Sequence, residues 1–319
     1  MEISLNDVRE ARRRIQGALR PTPLLEHPLL SEELGCDVRV KHENHNPTGA
    51  FKVRGGMNLL SHIAEQGGCD GVITASTGNH GQSIAFASRR FSIPCTVLVP
   101  EGNNPEKNAA MRAMGANVIE HGRDFDEARV EVERLCRERG LRYIHSANEP
   151  HLISGVATYA LEAFEEFPDP DFIFVPIGGG SGACGCAIVR TALGRSARVI
   201  GVQAERADAF ARSWHGPARV TGERADTFAE GLATRVTFDL TFDILKRELH
   251  DVITLTEDEL AEGVRLAVRT THNLAEGAGA AAIMGARKMR GQLRGKKVMC
   301  VMSGGNLDSR VLARLLASS

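Results

Sequence analysis

The chemistry this chain could do begins with one lysine. In Asn46-Pro-Thr-Gly-Ala-Phe-Lys-Val-Arg-Gly55, Lys52 sits between Phe51 and Val53 with glycines close on both sides. In water such an amine titrates near pH ~10.4 and is a poor nucleophile at neutral pH. Burial disfavours the ammonium and lowers that value, and a desolvated lysine can form a Schiff base with a carbonyl. Most lysines do neither and keep their charge in water. Three later stretches set Lys52 apart from them.

Gly178-Gly-Gly-Ser-Gly182 follows an apolar run and precedes a helical pattern. Gly178, Gly179, Gly180, Ser181 and Gly182 let backbone N–H groups approach an anion at a helix N-terminus. There is no Gly-Lys-Ser/Thr ending and no dinucleotide spacing, so a single compact phosphate fits best. Read alone, the stretch is equally a tight strand-to-helix turn. Ser76-Thr-Gly-Asn-His-Gly-Gln82 also joins a strand to a helix. Ser76 and Thr77 bring hydroxyls, Gly78 leaves N–H groups open, and Asn79 brings an amide. Such a loop can hold a carboxylate or bond an aromatic oxygen; its plainer role is to cap a helix. Ser303-Gly-Gly-Asn306 ends another apolar strand, and Ser303 can exchange a hydrogen bond with a ring nitrogen. An amine, a phosphate cradle, a carboxylate cradle and a ring-nitrogen partner together describe a pyridoxal 5′-phosphate site.

The elements that must position these loops alternate. Strands are expected at 38–43, 71–75, 95–99, 118–119, 141–145, 172–175, 199–202, 252–255 and 297–302. Helices are expected at 5–18, 52–63, 83–90, 105–115, 125–139, 150–165, 183–193, 257–273 and 276–289, with a final helix after Asn306. Residues 204–250 show no clear period and read as loop with short helices. This β-α alternation implies an α/β fold of two domains, each an open, mostly parallel twisted sheet flanked by helices. In such sheets ligands bind beyond the carboxyl ends of the strands, where all four loops lie.

At 319 residues, 42% apolar and 25% charged, the chain has the composition of a soluble globular protein. A net charge of −1 gives no footprint for nucleic acid or an anionic membrane. The seven cysteines are scattered and odd in number, and Cys184-Gly-Cys186 reads as buried thiols in a helix rather than a metal site. A reducing, cytoplasmic setting is expected. The start of the chain lacks a signal-peptide pattern, and no apolar run approaches the ~20 residues a membrane span needs.

These motifs resemble the fold type II pyridoxal-phosphate enzymes, specifically the serine/threonine dehydratase (ammonia-lyase) family, across nearly the whole chain. The resemblance makes Lys52, after Phe51, the Schiff-base lysine. It assigns Ser76, Thr77, Gly78, Asn79 and His80 to the substrate carboxylate, with Asn79 also near the cofactor's 3′-oxygen. Gly178 to Gly182 take the phosphate, Ser303 faces the pyridine nitrogen, and Glu276 lies near the cofactor. Lys52, Thr77 and Ser76 are the catalytic candidates. Residues 1–50 and 152–319 are expected to form a large cofactor-binding domain and 51–151 a small one. Relatives are usually dimers or tetramers, so a homodimer or homotetramer is expected. The chain stops soon after its last helix, which resembles the short catabolic type without a regulatory domain.

Several positions depart from the family pattern. Ala50 stands where Ser is frequent, Gly56 where Ala is, and Ser181 where a fourth glycine is. Gln203 and Ala209 replace a Glu and an Asp that bind a divalent metal in racemase-like members, so no metal is expected. Thr77 stands where dehydratases often have Ala and serine racemases have Ser, which keeps racemization open. The expected reaction is loss of water from a β-hydroxy amino acid, with Lys52 as the base at Cα, giving a 2-oxo acid and ammonia. Alternatives are a bulkier or acidic substrate (phenylserine, 3-hydroxyaspartate), a racemase, a β-replacing synthase, or a non-catalytic binding protein.

Overall fold

A computed structural model describes residues 3–123 and 125–317, with only the backbone of Asp126. Helix α1 (Leu5–Ile15) opens on a capping box in which Ser4 accepts from Asp7 N–H and Asp7 accepts in return, and it buries Val8, Ala11 and Ile15. It ends three residues before the apolar spacing predicts. Two elements that the sequence did not signal follow. Strand β1 (Leu24–Glu26) has three residues, and helix α2 (Pro28–Leu34) starts on a proline and stops at Gly35, φ 68°. Pro21, Pro23 and Pro28 mask both. Strand β2 (Asp37–His42) then leads to the turn that carries Lys52.

The middle of the chain runs α3 (Lys52–Glu65), β3 (Val72–Ala75), α4 (Asn79–Arg90), β4 (Cys95–Val99), α5 (Pro105–Ala113), β5 (Asn117–Glu120), α6 (Phe125–Arg139) and β6 (Arg142–Tyr143). Its four strands form an all-parallel sheet in the order β5-β4-β3-β6. Helix α4 begins four residues earlier than expected, because Asn79 and His80 start the helix instead of belonging to the loop.

Then come α7 (Pro150–Glu166), β7 (Phe172–Pro176), α8 (Ser181–Ala192), β8 (Arg198–Ala204), α9 (Ala209–His215), α10 (Asp239–Glu248), β9 (Asp251–Leu255), α11 (Glu257–Thr271), α12 (Gly277–Lys288), α13 (Arg290–Leu293), β10 (Lys297–Met302) and α14 (Ser309–Ala317). The second sheet has the order β1-β2-β10-β7-β8-β9. Its pairs are parallel except at the edge, where β1 runs antiparallel to β2. Cys184 and Cys186 are buried in α8, as their spacing implied.

One continuous apolar cluster joins α1, α3, α7 and α8 to both sheets. A second fills the space between the other face of the six-stranded sheet and α11 and α12. Helix α7 packs on α3 so closely that a Cβ at Gly155 would lie 2.5 Å from the Arg54 carbonyl oxygen. A buried ion network pins α3 from below. The Arg54 guanidinium donates to Glu43 at 2.7 and 3.0 Å and to Glu162 at 2.7 and 2.9 Å. Lys41 donates to Glu162 at 2.7 Å and to the Thr22 carbonyl at 2.7 Å. Two cations meet two carboxylates, so the network carries no net charge into the core. It lies two residues along α3 from Lys52.

Candidate active site

Four helices start at one place: α3 at Lys52, α4 at Asn79, α8 at Ser181 and α12 at Gly277. Their N-terminal N–H groups and dipoles favour negative charge in the space between them. That space is a cavity of about 640 Å³. Phe51, Lys52, Ser76 to His80, Gly178 to Gly182, Glu276 and Ser303 all line it, so the four loops read from the sequence meet. A shallower groove around Arg206 and Arg314 holds none of them.

Two loops are zipped together to place Lys52. Phe51 N–H donates to the Ser303 carbonyl at 3.0 Å, and Gly305 N–H donates to the Gly49 carbonyl at 2.9 Å. Burial pulls the Lys52 amine down to about 8, with Cys184 acting in the opposite direction. Roughly one amine in ten is then neutral at pH 7, a useful nucleophile and base. Its hydrogen-bond partner is the Ser181 hydroxyl, 2.9 Å away.

The glycine loop turns its carbonyls outward. Tyr159 Oη donates to the Gly182 carbonyl at 2.7 Å, and Thr241 Oγ1 donates to that of Gly179 at 2.8 Å. The N–H groups of residues 178–182 donate to no protein acceptor among the described residues, which leaves five donors along the cavity wall. A Cβ at Gly178 would overlap the Gly231 carbonyl, so the loop can lie this close only as glycine.

In the Ser76 loop the two hydroxyls differ. Ser76 Oγ accepts from the N–H groups of Gly78 at 3.1 Å and Gly81 at 2.9 Å, which folds the loop back on itself. Thr77 Oγ1 has no protein partner among the described residues, nor do the N–H groups of Thr77, Asn79 and His80. These three N–H groups and one hydroxyl are donors of the kind a carboxylate accepts from. The His80 ring adds no charge. Burial, and then the Lys52 charge, push it down to about 3, and its Nε2–H donates to the Ile144 carbonyl at 3.4 Å. Ser303 is buried, and its hydroxyl likewise has no protein partner among the described residues.

The comparisons with known proteins bear on what such a cavity holds. A family model described as "Pyridoxal-phosphate dependent enzyme" matches residues 15–304. The chain belongs to that family. It is 34% identical over 314 residues to an L-threonine ammonia-lyase of Thermotoga maritima, covering 98% of this chain and 78% of that one. It matches the solved structure of the processed form of threonine deaminase isoform 2 from Solanum lycopersicum at a TM-score of 0.89, with 27% identity over 99% of this chain and 95% of that one. A maize serine racemase matches at a TM-score of 0.93, with 26% identity over 100% and 98% of the two chains.

The residues present fit pyridoxal phosphate. A desolvated amine stands beside five free N–H donors suited to a phosphate, and an unpartnered hydroxyl faces the same cavity from Ser303. Asn79 is already engaged on both sides of its amide: Nδ2 donates to Glu276 at 2.6 Å and Oδ1 accepts from Asn306 at 2.8 Å.

Sequence reasoning missed Asn306, although it lies in a quoted motif. It also missed Lys107 and Glu230, which line the cavity and pair at 2.6 Å, and the cavity-lining His145 and Phe238. No motif marked these four; a cation at the first turn of α5 was the one available signal for Lys107.

Proposed function

We propose that this pyridoxal-phosphate enzyme eliminates water from a β-hydroxy amino acid of the threonine or serine type, releasing a 2-oxo acid and ammonia. The observation that carries the reading is a desolvated Lys52 amine and the neutral Ser303 hydroxyl in one cavity. The cofactor supplies an aldehyde that takes up an amine and a ring that accepts electron density from Cα. Lys52 Nζ is the amine that would hold that aldehyde, and when free it is the base placed to take the proton from Cα. The N–H groups of Thr77, Asn79 and His80 hold the substrate carboxylate. Ser303 Oγ would serve as a neutral partner for the ring nitrogen; a carboxylate there would keep the nitrogen protonated and favour amino-group transfer. The glycine loop binds the phosphate. Ser76 shapes the loop, and Thr77 is the hydroxyl placed for proton transfer.

Two further assignments belong to this reading. Residues 1–50 and 152–319 form the large domain and 51–151 the small one, a division supported by the membership of the two sheets. A homodimer or homotetramer in the cytoplasm is the form we propose, and sedimentation of the purified chain tests the first part. Among the described residues no helix is long and apolar enough to cross a membrane.

The deciding experiment is a panel of serine, threonine, 3-hydroxyaspartate and phenylserine, with ammonia and 2-oxo acid measured. Lys52→Ala should lose the cofactor that borohydride fixes to the protein, and with it all turnover. A Lys52→Ala protein that still carried a borohydride-fixed cofactor would overturn the assignment. The partnerless Thr77 hydroxyl favours a second reading, racemization of serine, and chiral analysis of unreacted substrate tests it.

A further inference from the structure

We infer that Ser181 is a positioning residue for Lys52: its hydroxyl holds the free amine at the mouth of the phosphate loop and helps set whether that amine carries a proton. This inference rests on the functional reading above. Ser181 Oγ lies 2.9 Å from Lys52 Nζ, and the two make no other side-chain hydrogen bond among the described residues. Ser181 is 1% exposed and is the first residue of α8. The phosphate loop already offers five unpaired N–H groups, so an anion can be held there without the hydroxyl. The distinct contribution of a serine in that loop is therefore to the amine.

The surroundings of Lys52 leave the hydroxyl with unusual influence. His80 from α4, His145 after β6 and Cys184 on α8 are the titratable groups that feel or affect its charge. Burial, with Lys52 and in one case Arg129 adding to it, pushes His80 down to about 3 and His145 to about 4. Burial pushes the Cys184 thiol well above its usual range. All three are uncharged between pH 6 and 9 on those values, roughly the range in which Lys52 titrates. Among the described residues no carboxylate offsets the ammonium, and the ring of Phe51 is 5.0 Å from Nζ. The hydroxyl oxygen is the polar acceptor left to stabilize the ammonium, and a hydrogen bond to a charged group is stronger than one to a neutral amine. Removing it should shift the balance toward the neutral amine.

The test uses the full-length chain with its cofactor removed. Competitive labelling with acetic anhydride, read by peptide mass spectrometry, gives the Lys52 titration midpoint against surface lysines in the same tube. Ser181→Ala should lower that midpoint by about one pH unit, the size expected for losing a hydrogen bond to a charge. Ser181→Thr, which keeps the hydroxyl, should restore it. If Ser181→Ala does not fold, Ser181→Gly answers the same question with the residue type of its neighbours. A midpoint unchanged in Ala or Gly overturns the inference, as does a shift that Thr fails to restore. Borohydride fixation of added pyridoxal phosphate to wild-type Lys52 is scored separately. Its absence would sink the functional reading while the Lys52–Ser181 coupling could still be measured.

Discussion

Asn79 and Glu276 stand 197 positions apart in the chain, and the Asn79 amide donates to Glu276 Oε1 at 2.6 Å. The bond ties the start of α4 to the start of α12, so the loop at 76–80 and the Glu276 wall of the cavity are fixed to each other. Burial raises the Glu276 carboxyl, with Lys107 and the Asn79 bond pulling the other way and Glu230 adding to the rise. A carboxyl whose value is raised on folding binds its proton more tightly in the native state, so stability falls as pH climbs through that range. Glu276→Gln keeps the acceptor for Asn79 and removes the charge. Its melting temperature should exceed that of wild type at pH 8, and the gain should shrink as pH falls toward 4. A variant that melts lower at pH 8 would show that the charge is favourable where it sits.

A methyl group at Gly56 would collide with Ser83. The Ser83 hydroxyl already fills that space, donating to the Lys52 carbonyl at 2.6 Å, and the Ser83 carbonyl oxygen lies 2.8 Å from the ideal Cβ position. Gly56, which departs from the alanine frequent in the family, is thus matched to a serine on the neighbouring helix, and the pair fixes the backbone that carries the Lys52 amine. Gly56→Ala should destabilize by about 1–3 kcal/mol, the usual cost of overpacking. Adding Ser83→Ala should recover part of the loss and no more, because the carbonyl stays. Thermal melts of the two single variants and the double variant give the coupling, and strict additivity would contradict it.

How much of this could be read in the sequence divides by distance along the chain. Lys52, the loop at 178–182 and Ser303 each follow a strand and carry small residues, so strand-loop-helix reasoning finds them. The strands and helices that hold them also appear where their spacing is regular. What escaped depends on tertiary approach. The Lys107–Glu230 pair joins α5 to a 3-10 turn 123 positions away, and nothing local to either residue marks it. Strand β1 is too short to show a period, and the start of α4 hides among residues that also suit a loop.

The network under α3 makes a pH-dependent contribution to stability. Burial alone would raise the Glu43 carboxyl, yet the Arg54 guanidinium beside it overrides that and holds it below its usual range. For a carboxyl lowered on folding, the stabilization is complete above the unfolded value and is lost as pH falls through the folded one. Glu43→Gln takes one of the two carboxylates from the network and leaves Lys41 and Arg54 to share Glu162 in the core, and should cost about 3–5 kcal/mol at pH 7. Denaturant titration at pH 7 and again below pH 4 checks both points. The gap between wild type and variant should narrow in acid, and a gap that stays constant would mean that the pair contributes packing rather than charge.

The last prediction concerns cations. Gln203 is fully buried, and its Oε1 accepts from Ala211 N–H at 2.9 Å, so the group that stands in place of a metal-binding carboxylate is spent on fastening α9. Ala209, at the second position, is buried and offers no side-chain ligand. Of the nearby acids, Asp208 is paired with Arg212 at 2.9 Å and Glu205 is exposed. A divalent ion needs about six or more oxygen ligands, carboxylates prominent among them, and neither of the two carboxylates supplied by metal-dependent relatives is present here. Activity and melting temperature should therefore survive prolonged treatment with a chelator, and added magnesium or calcium should change neither. A reversible loss of activity on chelation, restored by either ion, would mean that Glu205 and Asp208 leave their present positions to rebuild a site.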